Sequence, residues 1–266
     1  MWRKTLVSVL AAILLIPVIS RGSELTGREI MEKQKRLQKT KSEFALEKMI
    51  LVDRRKNKEV REIKRYSKEV EEDVNRFLIV FLSPPNIRGT ALLTWEHKDA
   101  EEDQWLYMPA RGRMQRIAKG GKKNYFMGTD FAYEDLSPED LDGHQYNRLE
   151  DEVFKDQDCY VVEALPATKE KKRSSGYSKR VMWISKDKFV TLKVDYYDRR
   201  GRLLKRQLNL DFRNIEGTIW RPQKVLVNNF KNKHKTLLGT IKREINTAIP
   251  DRIFTERFIL KGFHTR

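Results

Sequence analysis

The residues to test first for chemistry are the acids, the histidines and the single cysteine. Glu134-Asp135 and Glu139-Asp140 are adjacent carboxylate pairs, the raw material for an acid and a base in glycoside hydrolysis. They sit in a stretch that also holds Asp130 and Asp142, so solvated charge is the simpler reading and no enzyme is expected. His97, His144, His234 and His264 stand singly, without the His-x-x-x-His or Cys-x-x-Cys spacing that aims two ligands at one ion, and no metal site is expected. There is no Gly-x-Ser-x-Gly elbow and no dinucleotide fingerprint. Gly120-Gly121-Lys122-Lys123 lacks the strand-loop-helix context of a phosphate-cradling loop, so no cofactor is expected either. Cys159 opens the apolar run Cys159-Tyr160-Val161-Val162 and has no second cysteine to pair with. It reads as a small buried hydrophobe rather than a reactive thiol.

The stronger signal is a contrast of charge. Arg111, Arg113, Arg116, Lys119, Lys122 and Lys123 come with no acid among them, and Asp130, Glu134, Asp135, Glu139, Asp140 and Asp142 then come with no base. Phe126, Met127, Phe131, Tyr133 and Leu136 are set in and beside the acidic block. Ser137-Pro138-Glu139-Asp140 reads as an N-cap, a first-turn proline and first-turn acids, which predicts a short helix. Residues 119–143 are therefore expected to form an excursion that works as a lid, its aromatics covering an apolar cavity. The plainer alternative is a surface loop whose aromatics fill one open end of the fold.

The elements that must position these residues are written in the periodicity. Leu25, Ile30, Met31 and Leu37 share one helical face between Glu24 and Lys39. Beyond it the period is two. Leu93 and Trp95, then Val190, Leu192, Val194 and Tyr196, then Leu204, Leu208, Leu210 and Phe212 alternate with mostly polar neighbours. Further strands are expected at 43–53, 59–66, 75–82, 87–97, 104–109, 113–118, 160–165, 179–184, 218–227, 237–243 and 253–259. Asp198-Arg199-Arg200-Gly201 and Asn214-Ile215-Glu216-Gly217 read as hairpin turns in which glycine supplies positive φ. Short strands at regular spacing predict an antiparallel meander curled into an open or closed barrel, mainly β with flanking helices.

Composition sets the outer bounds. The 266 residues carry 55 Lys+Arg against 38 Asp+Glu, a formal charge of +17, with 39% hydrophobic residues, 13 Gly and 8 Pro. Disordered and collagen-like chains are excluded, and a mean hydropathy of -0.69 excludes a polytopic helical membrane protein. Arg3 and Lys4, the uncharged run Thr5 to Ile16, Pro17, and Val18 and Ser20 before Arg21 predict a cleaved export signal over residues 1–20. The lack of a cysteine after the cleavage point predicts a soluble exported chain with no lipid anchor, folded as a single domain over residues 21–266. Removing the signal leaves the charge at about +15, so the excess belongs to the folded part. Outside the cytoplasm such a surface attracts an anionic membrane surface or acidic partners, or serves solubility alone. Nucleic acid is not an expected partner, although Arg180-Val181-Met182-Trp183 interleaves bases with an aromatic.

A sheet of this kind with no catalytic constellation suits a carrier of acyl chains. Its inward residues are expected to be Leu93, Trp95, Leu106, Met108, Val194, Tyr196, Leu208, Leu210 and Phe212. The segments Trp105-Leu106-Tyr107-Met108-Pro109-Ala110, Arg113-Met114-Gln115-Arg116-Ile117, Phe126-Met127-Gly128-Thr129-Asp130-Phe131 and Tyr133-Glu134-Asp135-Leu136 resemble the outer membrane lipoprotein-sorting protein family, which is similar to the periplasmic carrier LolA and its acceptor LolB. Tyr197-Asp198-Arg199-Arg200-Gly201 and Ile219-Trp220-Arg221-Pro222-Gln223-Lys224-Val225 extend the likeness over nearly all of residues 21–266. The resemblance implies an unclosed antiparallel β-barrel with helices across its opening. It also implies an acylated lipoprotein or lipid as cargo, a periplasmic setting, and as partners a resistance-nodulation-division (RND) type inner-membrane transporter and an outer-membrane acceptor. The alternatives are an envelope sensor of similar fold and a polyanion-binding envelope protein.

Overall fold

In a computed structural model the described residues are 24–265; the expected export signal over residues 1–20 lies outside them. The alternating segments become strands β1 (Ser42–Val52), β2 (Lys58–Glu71), β3 (Val74–Ser83), β4 (Ala91–Trp95), β5 (Asp103–Met108), β6 (Arg113–Arg116), β7 (His144–Arg148), β8 (Glu152–Phe154), β9 (Gln157–Pro166), β10 (Tyr177–Ser185), β11 (Thr191–Asp198), β12 (Leu203–Glu216), β13 (Ile219–Asn229) and β14 (His234–Ile245). They make one sheet of 14 strands in the order β6-β5-β4-β3-β2-β1-β14-β13-β12-β11-β10-β9-β7, with β8 paired to β9. Every pairing is antiparallel. Adjacent β-strands joined by tight turns need no crossover, and Gly201 (φ 75°) and Gly217 (φ 53°) supply the left-handed positions of the two expected hairpins.

The order of the strands decides where the lid segment must lie. β6 and β7 are consecutive in the chain yet occupy opposite edges of the sheet, so the sheet is unclosed and the residues between them have to travel from one edge to the other. They do so across one face, here called inner. Helix α1 (Gly27–Leu37) covers the rest of that face. It starts on a capping box, with Thr26 accepting from the Glu29 amide and the Glu29 carboxylate accepting from Thr26, and it buries Ile30 and Met31.

The last stretch differs from expectation. Residues 253–259 are not a strand but a 3-10 turn (Asp251–Phe254) followed by α3 (Glu256–Leu260), because Thr255 caps a helix by accepting from the Phe258 amide at 3.2 Å. Ile253, Phe254 and Ile259 then bury together on the outer face against Leu78, Val80, Ala91 and Leu93. The helix expected from Ser137 is also absent: a 3-10 turn lies earlier, over Tyr133–Leu136. The Ser137 hydroxyl is engaged by Gln104 and Glu102, both at 3.1 Å, instead of capping a following turn.

Candidate functional site

The inner face has two apolar halves. Over β1 to β5 and β14, Met49, Leu51, Ile63, Ile79, Phe81, Leu92, Leu106 and Leu238 form a dry cluster, with Phe126 and Tyr133 of the excursion inside it. Over β7 and β9 to β11, Tyr146, Val162, Ala164, Tyr177, Met182, Ile184, Val194 and Tyr196 pack with Ile30 and Met31 of α1. The excursion is thus a plug that fills the first half. Phe126 is 1% exposed, and its ring centre lies 5.5 Å from those of Phe81 and Tyr133. Burying such a ring contributes roughly 2–3 kcal/mol.

A polar seam between the halves holds the plug down. Lys205, inward on β12 and 1% exposed, donates to the Asp130 carbonyl at 2.8 Å and the Asp135 carboxylate at 2.5 Å. Its ammonium stands 4.7, 5.2 and 5.6 Å from the ring centres of Tyr196, Tyr177 and Tyr125. Tyr177 donates to Asp135 at 2.9 Å, and burial with that carboxylate nearby drives the phenol well above its ordinary range. Glu134 accepts from the Gly176 amide at 2.7 Å and the Ser175 hydroxyl at 2.8 Å, while burial and then Asp135 push its carboxyl up. Arg180 clamps Glu139 through two bonds of 2.8 and 2.6 Å, which outweighs burial and holds that carboxyl low. Arg61 and Gln104 bind the Met127 and Tyr133 carbonyls at 2.6 and 3.1 Å. Asp140 and Asp142 pair with Lys171 and Arg28 at 2.9 and 2.8 Å. The acidic block is therefore a set of anchors, its carboxylates engaged by cations, hydroxyls and backbone amides.

A cleft of about 340 Å³ remains between α1, the plug and the second half, lined by Met31, Gln34, Tyr177, Arg180, Met182, Val194, Tyr196, Gln207 and Asn209 among others. Its wall mixes polar and apolar groups. Among the described residues no cluster of His, Cys, Asp and Glu could hold a metal ion.

The expected inward residues divide. Leu106, Val194 and Tyr196 lie on the inner face, and Met108 packs against the first inner cluster. Leu93 and Trp95 do not: Leu92, not Leu93, is opposite Leu106, and Leu93 packs under the C-terminal turn while the Trp95 indole donates to the Phe254 carbonyl at 2.9 Å. Leu208, Leu210 and Phe212 are likewise outward. Gln207 is the residue opposite Val194 and Lys205 the one opposite Tyr196, so the inner positions of β12 are its polar ones. A period of two shows that a strand has two faces; which face is inner depends on register, and the apolar set here marks the outer one. Leu208, Leu226, Leu237, Ile50 and Val60 line up outside across five strands. Sequence reasoning missed Lys205, Tyr177 and Arg180, because a polar residue in an alternating strand reads as solvent-facing.

Of the five apolar plug residues, Phe126 and Tyr133 belong to the first cluster, Met127 and Leu136 lean on it, and Phe131 is buried. Of the basic block, Arg111, Arg113, Arg116, Lys119 and Lys123 are exposed, Arg116 and Lys119 pairing with Asp103 and Glu101, while Lys122 is buried against Glu102. Cys159 is fully buried, and burial pushes its thiol up.

A family profile described as "Uncharacterized protein" matches residues 73–261. No curated protein matches. Among solved structures, a domain from Vibrio parahaemolyticus classed as an outer membrane lipoprotein-sorting protein is 34% identical, with a TM-score of 0.83 over 88% of this chain and 98% of its own. A DUF1329 family protein from Desulfovibrio piger is 26% identical, with a TM-score of 0.82 over 88% and 97%. A LolA superfamily protein from Nitrosomonas europaea, 22% identical, shares the fold with a TM-score of 0.70 over 88% and 100%. Near-complete coverage at this identity, on a sheet left open and bridged by its own chain, means that the protein belongs to the outer membrane lipoprotein-sorting protein family.

Proposed function

We propose that the protein is a soluble periplasmic carrier that takes up the acyl chains of a lipoprotein or lipid on the inner face of its half-barrel for transfer towards the outer membrane. The role is one of binding rather than catalysis. The observation that carries the reading is the plug: an apolar segment occupies an apolar inner face, yet it is fastened along a polar seam rather than by sheet pairing. Such a segment masks in the empty state the surface that an acyl chain would need. Each methylene withdrawn from water contributes roughly 0.8 kcal/mol, so one long chain repays the displacement of a few rings and hydrogen bonds. The outer membrane lipoprotein-sorting class of the Vibrio relative agrees with this cargo. Within the same reading, an RND-type inner-membrane transporter loads the carrier and an outer-membrane acceptor unloads it.

Native mass spectrometry of residues 21–266, exported in a Gram-negative host and purified without detergent, tests the reading together with titration of a fluorescent acyl probe. The expected result is a discrete added mass that fragments as an acylated molecule, or probe binding accompanied by faster amide exchange in residues 126–136. A bare polypeptide that also ignores the probe overturns it.

A further inference from the structure

Strand order gathers six hairpin connections at one end of the half-barrel, and four of them form one continuous run: 53–57 between β1 and β2, 231–233 between β13 and β14, 199–202 between β11 and β12, and 167–176 between β9 and β10, which includes α2 (Lys169–Ser174). At strand spacings near 4.8 Å this rim runs along roughly 35 Å of arc. Arg54, Arg55, Lys56, Lys231, Lys233 and Arg200 all stand exposed on it. None of these side chains makes a hydrogen bond or salt bridge among the described residues, whereas Asp53 and Asp198 are spent locally and the remaining acid, Glu170 of α2, stands exposed among Lys169, Lys172 and Arg173. Asp53 accepts from the Arg55 and Asn57 amides at 2.8 and 2.9 Å, and Asp198 is paired with Arg202 at 2.8 Å. Two large apolar side chains, Phe230 (40% exposed) and Leu203 (36%), project among the cations.

Between the first two hairpins lies a pocket of about 470 Å³, whose walls include Arg54, Arg55, Asn232 and His234 and whose floor includes Tyr125 and Gly128 of the plug. Its one deep acid, Asp130, is 2% exposed and occupied by Thr236 at 2.8 Å and His234 at 2.7 Å. Two guanidinium groups that make no side-chain hydrogen bond, Arg55 having only the charge of Asp53 near it, stand beside a polar recess and match a phosphate in size and charge.

We infer that this rim is the membrane-docking surface of the protein: it seats on an anionic phospholipid bilayer, with a phosphodiester headgroup in the pocket between the β1–β2 and β13–β14 hairpins and Phe230 and Leu203 in the interfacial layer. The bilayer is favoured over a soluble acidic partner because exposed apolar side chains stand at the hairpin ends among lysines, the arrangement that suits a lipid interface. The inference rests on the reading that the chain works at envelope membranes. It does not depend on what fills the inner face.

The test is flotation of residues 21–266 with vesicles of phosphatidylcholine alone and with about one third phosphatidylglycerol. Soluble glycerophosphate and polyglutamate serve as competitors. Binding is expected only to the anionic vesicles, to fall steeply with salt, and to weaken more than tenfold in Arg54→Ser/Arg55→Ser, several-fold in Phe230→Ser, and little in Arg252→Ser/Arg257→Ser, a matched charge loss on the C-terminal segment. Lys231→Ser/Lys233→Ser repeats the test on the neighbouring hairpin should the first pair fail to fold. No binding to anionic vesicles, equal loss in the Arg252/Arg257 control, or a response to polyglutamate that matches the vesicles and ignores Phe230 would overturn the inference. Acyl-probe binding measured on the same variants is expected to be unchanged, so failure of the docking surface and failure of the carrier reading are separable.

Discussion

Replacing Lys205 with Met removes the cation that ties the plug to the sheet and keeps the aliphatic stem. Lys205 and the Asp135 carboxylate are 1% and 4% exposed, so the substitution leaves a carboxylate buried with only the Tyr177 hydroxyl and the Ala132 amide to serve it. Breaking a buried pair from one side costs about 3–5 kcal/mol. Most of that cost falls on the plugged state, because Lys205 contacts the plug at both Asp130 and Asp135. The free energy for local opening drops by most of that amount, about 3–4 kcal/mol, and at 1.36 kcal/mol per decade the plug amides exchange about 150- to 1,000-fold faster. The reporters are the amides of Phe126, Tyr133 and Glu134, which donate to the carbonyls of Phe131, Asn124 and Lys122 at 2.8, 3.1 and 3.0 Å. Hydrogen exchange with mass-spectrometric readout follows them, and β2 and β3 act as internal controls that stay protected. Lys205→Met/Asp135→Asn removes both charges and should recover most of the loss. Exchange within about threefold of the parent in the single variant, or no recovery in the double, would refute the latch.

Gly27→Ala should destabilise the protein by about 1–3 kcal/mol despite the better helix propensity of alanine, because the added Cβ would stand 2.8 Å from the Tyr146 carbonyl oxygen and 3.0 Å from the Arg148 amide, both backbone atoms. The readout is a thermal midpoint lowered by about 2–10 °C. Burial and then Arg180 hold the His144 imidazole below its ordinary value of 6.5, so the folded state binds fewer protons than the unfolded chain. Its contribution is complete above about pH 6.5 and fades as the pH falls below it. Urea midpoints measured from pH 7.5 to 5.5 should decline more shallowly in His144→Gln than in the parent, and an unchanged slope would count against the assignment.

The sheet was legible because its strands alternate and its turns carry glycine where φ is positive; β10 to β13 lie close to their expected positions on those grounds. β7, β8 and α2 were not, since His144–Arg148 offers a single apolar ring, Tyr146, and so no alternation, Glu152–Phe154 is too short to show a period, and Lys169–Ser174 has no apolar face. The excursion announced itself through its opposed charge blocks. Its chemistry stayed hidden because each of its acids meets a partner distant in the chain, as Asp135 meets Lys205 and Glu139 meets Arg180. Register explains the divided inward set: choosing Leu208 over Gln207 exchanges the two faces of β12, and nothing local to that strand distinguishes them.

The connection between β6 and β7 carries a mechanical consequence. Both of its ends are sewn into opposite rims of the gutter, so whatever lifts its middle cannot release its ends. Any displacement of its middle off the inner face therefore has to be taken up by slack within the segment or by movement of the two sheet edges it joins. A nick in this one segment would leave every strand pairing intact and remove that tether between the edges.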